Sequence, residues 1–139
     1  MNFAYKKLFS YAQDMMQRAH APYSSFKVGV ALLTDSGQIF GGCNIESVSY
    51  GLTMCAERVA VFQAVSQGHT NFTQLLLMTT TAVFPCGACR QIIYEFCPNV
   101  KIIIATEQAI ITTCTIQELM PYAFDSLNNK KNFEKKDKE

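Results

Sequence analysis

Charge is scarce in this sequence: 17% of its 139 residues are Asp, Glu, Lys or Arg, against about 25% in an average soluble protein. Hydrophobic residues make up 49%. A chain of this size buries about two thirds of the surface it exposes when unfolded, so one compact domain is expected and disorder over the whole length is excluded. An excess of one sign is also missing. Twelve basic and eleven acidic side chains give a formal charge of +1. Residues 128–139 alone hold five Lys and three acids, which leaves residues 1–127 at −1. Without a basic surplus the domain is not expected to hold a polyphosphate backbone, so a nucleic-acid polymer is not an expected partner. Long apolar runs are absent as well. No stretch approaches the eighteen or so residues of a membrane span, and Met1-Asn2-Phe3-Ala4-Tyr5-Lys6-Lys7 lacks the pattern of a secretory signal. A cytoplasmic protein without a membrane partner is expected. There is no internal repeat.

Apolar periodicity organises what is present. Tyr5, Leu8, Phe9, Ala12, Met15, Met16 and Ala19 recur at helical spacing and predict an amphipathic first helix ending before Pro22. Residues 26–33 and 38–43 read as strands joined by Thr34-Asp35-Ser36-Gly37, a hairpin. Residues 54–67 are apolar on nearly every side, which predicts a buried helix stopped by Gly68. A short apolar strand over 74–79, a third helix over 87–96 before Pro98, and strands over 100–105 and 109–114 follow. Thr115-Ile116-Gln117-Glu118 has the form of a capping box. The predicted order is αββαβαββα. The last two strands are too close in sequence for a parallel crossover and are expected to form an antiparallel hairpin. The fold class is therefore α/β, a mixed five-stranded sheet covered by helices, over residues 1–127. Residues 128–139 form a Lys-rich tail too polar to pack and are expected to be disordered.

The cysteines carry the chemical signal. In a reducing compartment the six of them (43, 55, 86, 89, 97 and 114) point to metal ligation or plain burial rather than disulfides. Cys86-Gly87-Ala88-Cys89 opens the third helix after Pro85, and Cys55 lies in the first turn of the second. Helix N-termini favour anions and so promote thiolates. Structural zinc usually takes four protein ligands, whereas catalytic zinc takes three and leaves a position for water, whose pKa falls to about 7. Glu57 follows Cys55 by two residues. Residues i and i+2 lie on different sides of an ideal helix, so Glu57 must bend round the first turn to reach such a water. Three thiolates and Zn²⁺ sum to −1, a charge that Arg58 and Arg90 can offset by donating to the sulfurs. Cys43, Cys97 and Cys114 are read as buried, though any of them could close a four-cysteine structural site. His20 and His69 are read as surface residues.

Cys55-Ala56-Glu57 followed by Pro85-Cys86-x-x-Cys89 resembles the signature of zinc-dependent nucleobase deaminases, with Cys in place of His. Longer segments sharpen the likeness: Ala21-Pro22-Tyr23-Ser24-Ser25-Phe26-Lys27-Val28-Gly29, Gly42-Cys43-Asn44-Ile45-Glu46, Ser49-Tyr50-Gly51-Leu52-Thr53-Met54-Cys55-Ala56-Glu57-Arg58 and Pro85-Cys86-Gly87-Ala88-Cys89-Arg90-Gln91. Over about residues 3–127 the chain resembles the homotetrameric, three-cysteine cytidine deaminases that act on free nucleosides. The resemblance implies a cytidine-deaminase-like three-layer fold and one Zn²⁺ per chain on Cys55, Cys86 and Cys89. It implies Glu57 as catalytic acid/base, and Asn44 and Glu46 on the sugar hydroxyls. Phe26 and the Ala56 backbone would lie beside the base, and Phe124 would reach a neighbouring subunit's pocket. Tyr50 is a second candidate for lining such a pocket. Ser47, Val48 and Phe84 depart from the usual Asn, Ala and Ser of that family. The implied reaction is hydrolytic deamination of cytidine and 2'-deoxycytidine in pyrimidine salvage. The alternatives are another aminopyrimidine nucleoside as substrate, a zinc-stabilised interaction module using the tail, and a polynucleotide editor.

Overall fold

The structure is a computed structural model and describes residues 3–125; the expectation for residues 128–139 lies outside them. The elements are α1 (Phe3–Gln17), β1 (Val28–Thr34), β2 (Ile39–Cys43), a 3-10 turn (Tyr50–Leu52), α2 (Ala56–Ser66), β3 (Phe72–Thr79), α3 (Gly87–Phe96), β4 (Lys101–Ala105), β5 (Ile110–Thr115) and α4 (Ile116–Leu119). Their order is the αββαβαββα read from periodicity.

The strands form one mixed sheet in the order β2-β1-β3-β4-β5. β1 pairs antiparallel with both β2 and β3, and β4 and β5 form the expected antiparallel hairpin. β3 and β4 are parallel. That pairing requires a crossover, which α3 supplies.

Side chains alternate across the strands and divide the core into two. Val30, Leu32, Leu75, Leu77, Ile102 and Ile104 meet α2 and α3 through Ala60, Val61, Ala64 and Ile93. Ala31, Leu76, Met78, Ile103 and Ala105 meet α1 through Leu8, Ala12 and Met16. Helices on both faces make three layers, and they explain why Leu75-Leu76-Leu77-Met78 and Ile102-Ile103-Ile104 are continuous apolar runs rather than alternating ones. Among the described residues no helix is long and apolar enough to cross a membrane.

Two departures from the sequence reading bear on function. β1 begins at Val28, not Phe26, because Phe26 is held by side chains instead of a ladder: Ser24 Oγ accepts from its N–H and Asn44 Nδ2 donates to its carbonyl. α2 begins at Ala56, since Cys55 has extended backbone (φ −71, ψ 150) and is the N-cap rather than part of the first turn. The first turn of α2 lies so close to β2 that a Cβ on Gly42 would overlap the Ala56 carbonyl and the Ala60 nitrogen, so glycine is required there for packing.

Candidate metal centre and active site

The N-termini of α2 and α3 meet on the sheet face opposite α1. Cys55 caps α2 and Cys86 caps α3, and neither side chain is engaged in a capping hydrogen bond. Cys89 lies in the first turn of α3 and is fully buried. The three sulfurs all lie within 4.8 Å of one another, and Cys55 Sγ stands 3.9 Å from Cys86 Sγ. Tetrahedral zinc with Zn–S bonds of about 2.3 Å sets sulfur separations of roughly 3.8 Å, so a soft three-thiolate donor set at this spacing fits that ion. Cys43, Cys97 and Cys114 stand outside the cluster, so the closed four-cysteine alternative finds no fourth ligand among the described residues.

The N-cap position of Cys55 resolves the geometric difficulty of Glu57. Because Cys55 is still extended, the turn begins after it and the Glu57 carboxylate swings under the cluster. Cys89 Sγ donates to Glu57 Oε2 at 3.0 Å. Glu57 is only 5% exposed. Burial, opposed in part by the Cys89 hydrogen bond, holds its carboxyl above the usual range.

The thiols diverge. A hydrogen bond from Cys89, stronger than the opposing effect of burial and aided by Arg58 and Cys86, brings the Cys55 thiol down to about 5. Cys89, sharing its proton with Cys55 and buried beside Glu57, is pushed up. Arg58 Nη2 donates to Cys55 Sγ at 3.3 Å, the contact expected of it. Of the two arginines, Arg90 is placed differently. Its Nε donates to the Pro85 carbonyl at 2.7 Å and its Nη1 to the Leu119 carbonyl at 3.0 Å, and no sulfur is among its described hydrogen-bond partners. From the first turn of α3 the long guanidinium reaches past the metal loop to backbone oxygens.

A hollow of about 210 Å³ opens onto the cluster, and Phe26, Asn44, Ala56, Glu57, Cys55 and Phe84 are among its walls. Asn44 is buried, and its amide ties two backbone groups: Oδ1 accepts from Val28 N at 2.9 Å and Nδ2 donates to Phe26 O at 2.7 Å. Glu46 does not line this hollow. Its carboxylate accepts from Tyr23 N at 3.0 Å, Ser24 N at 3.1 Å and Ser24 Oγ, and lines an adjoining hollow of about 360 Å³ with Tyr23, Tyr50 and Thr53. The Ser24 hydroxyl is foremost in holding the Glu46 carboxyl below its usual range. Tyr23 and Tyr50 stack at 5.5 Å between ring centroids, tilted by 59°. Thr53 borders both hollows and was missed in the sequence, although it lies two residues before Cys55. Val83 was missed too; nothing but its nearness to Pro85 marks it. Phe124 lines neither of these two hollows but a third one, of about 520 Å³, and is 67% exposed.

Known proteins carry the same features. Residues 4–106 match the family described as the cytidine and deoxycytidylate deaminase zinc-binding region. A cytidine deaminase of Sporosarcina psychrophila is 43% identical over 122 residues, covering 86% of this chain and 90% of its own length. Another, of Halalkalibacterium halodurans, is 43% identical over 120 residues, covering 84% and 91%. Among solved structures, the cytidine deaminase of Burkholderia pseudomallei superposes with a TM-score of 0.83 at 38% identity, covering 89% of this chain and all of that one. With three sulfurs and a buried glutamate at the helix ends where a zinc-binding deaminase needs them, this chain belongs to the cytidine and deoxycytidylate deaminase family.

Proposed function

We propose that this protein hydrolyses cytidine and 2'-deoxycytidine to uridine and 2'-deoxyuridine, releasing ammonia, and serves pyrimidine salvage in the cytoplasm. One observation carries the reading: a buried carboxylate, Glu57, stands 3.0 Å from one sulfur of a three-thiol cluster that opens into a hollow. Cys55, Cys86 and Cys89 would hold one Zn²⁺ per chain. When bound, that ion acts as a Lewis acid and lowers the pKa of water to about 7.

Glu57 moves the protons. Its carboxylate takes one from water as the new C4–O bond forms and delivers it to ring N3; it then carries the second water proton, left on the new C4 hydroxyl, to the amino group as the C4–N bond breaks, the C4 carbonyl forms and ammonia leaves. Burial suits it to the task, because a carboxylate whose protonated form is favoured takes a proton from water more readily than an ordinary one. Arg58, bonded to Cys55, offsets the net negative charge of the thiolates.

The paired hollows suit a two-part ligand. A small ring fits the inner one beside Phe26 and the Ala56 backbone, and a sugar extends past Thr53 towards Glu46. Asn44 keeps one N–H after serving Phe26, and the Glu46 carboxylate keeps lone pairs after accepting its backbone donors, so both can still bind a sugar hydroxyl. The exposed Phe124, which lines neither the inner nor the outer hollow, is assigned to the pocket of a neighbouring subunit, with Tyr50 beside it in a homotetramer.

Glu57→Gln tests the assignment. It is expected to lower kcat by about 10²–10⁴-fold with one zinc still bound per chain, since the amide keeps the shape and loses the proton. Near-normal turnover at full zinc occupancy would remove Glu57 as the shuttle.

A further inference from the structure

The stretch after α4 is irregular. Between Met120 and Asp125 the chain forms no helix or strand, and Ala123 is its one buried residue. Tyr122 is 86% exposed and Phe124 67%. Its backbone is instead gripped by two consecutive side chains of α3. Arg90 Nη1 donates to the Leu119 carbonyl at 3.0 Å, and Gln91 Nε2 donates to the Phe124 carbonyl at 2.8 Å. The same guanidinium donates through Nε to the carbonyl of Pro85, which directly precedes Cys86. A planar fork with fixed donor directions satisfies two carbonyls only when they stand in one relative placement. Arg90 therefore sets the metal loop and the end of α4 at a fixed distance, and Gln91 continues the grip to the residue bearing the exposed ring. Phe124 and Gln91 themselves border a hollow of about 520 Å³, whose other walls include Tyr94, Glu95 and Pro98.

We propose that Arg90 and Gln91 are positioning residues that fasten the C-terminal segment to the metal-bearing end of α3, and so fix where the Phe124 ring stands for a neighbouring subunit's substrate. The proposal rests on the assignment of Phe124 given above. It gives Arg90 a function in place of the sulfur contact it does not make.

A double-mutant cycle on the zinc-loaded full-length chain, read as KM for cytidine, tests it. Phe124→Ala is expected to raise KM about tenfold through the lost ring contact. Gln91→Met, similar in length but without the donor, is expected to raise it roughly fivefold. If Gln91 acts through the ring, the double variant stays near the tenfold of Phe124→Ala, whereas independent effects multiply to roughly fiftyfold. The effect falls on KM, with zinc per chain unchanged. Gln91→Glu, which keeps the shape and loses the donor, serves if the Met variant folds poorly. Arg90→Lys, which cannot span both carbonyls, is expected to shift KM in the same direction. A silent Phe124→Ala overturns the assignment of the ring and the proposal with it. A responsive Phe124→Ala combined with a multiplicative double variant, or with a Gln91 variant that lowers the melting temperature and leaves KM unmoved, overturns the coupling alone.

Discussion

The six cysteines divide into two sets of three that differ in where the backbone puts them. Cys55 and Cys86 are N-caps, and Cys89 lies in the first turn of α3. Cys97 is the C-cap of that same helix, Cys43 ends β2, and Cys114 lies in β5. α3 alone therefore carries both outcomes. At its positive end Cys86 and Cys89 join Cys55 of α2 in the cluster, where hydrogen bonding brings Cys55 down to about 5 and pushes Cys89 up. At its negative end a single thiol, pushed up by burial to about 12, has no partner in that cluster. Burial is likewise the foremost cause that raises Cys43 and Cys114. Chemistry here belongs to the convergence of three thiols and their hydrogen bonds, not to the residue type.

The sharpest way to break this contrast is to exchange one member of each set. Cys86→Ser is expected to lose the zinc and to reduce turnover to background. Cys114→Ala is expected to keep one zinc per chain and to cost within about 1 kcal/mol of stability. Metal analysis and an ammonia-release assay check both, and zinc loss in the second variant would merge the two sets. A smaller effect is expected from chelation. Zinc held at a thousand times its dissociation constant stabilises the folded chain by about 4 kcal/mol, so a chelator should lower the melting temperature of the unaltered protein and leave that of Cys86→Ser unmoved.

The finest resolution comes from alkylating the metal-stripped protein. At pH 7 Cys55 is well above its midpoint of about 5 and is mostly thiolate, whereas Cys97 is far below its midpoint of about 12 and is almost wholly protonated. Iodoacetamide should therefore label Cys55 in the folded chain and Cys97 only after unfolding. Because a thiol reacts as its anion, lowering the pH from 7 to 4 carries Cys55 through its midpoint and should slow its labelling about tenfold. Peptide mass spectrometry distinguishes the sites, and equal labelling of the two at pH 7 would contradict the contrast.

Much of this was legible in the chain itself because it rests on local rules. Helical and strand periods gave the order of elements, and the short link between residues 105 and 110 required the β4–β5 hairpin. The Thr115-x-x-Glu118 capping box is present as read, with Glu118 N donating to Thr115 Oγ1 at 3.2 Å and Thr115 N to Glu118 Oε2 at 2.7 Å. The Cys55, Glu57, Cys86 and Cys89 set was legible because it repeats a spacing tied to one chemistry. Other features depended on contacts far apart in sequence. Nothing local could direct Arg90 to Leu119, since its carbonyl partners come from two separate segments. Asn44 was expected on the sugar hydroxyls, yet its amide also organises the start of β1, 16 to 18 positions away.

Residue order alone marked the three thiols, the acid beside them and the two helices at whose starts they lie, because helix capping and hydrophobic period act over a few residues. It could not decide that β1 sits between β2 and β3, that Glu57 swings beneath Cys89, or that the inner and outer hollows meet at Thr53. Those outcomes required the α3 crossover and the close seating of α2 on Gly42, which bring distant segments to one edge of the sheet at separations that only packing fixes.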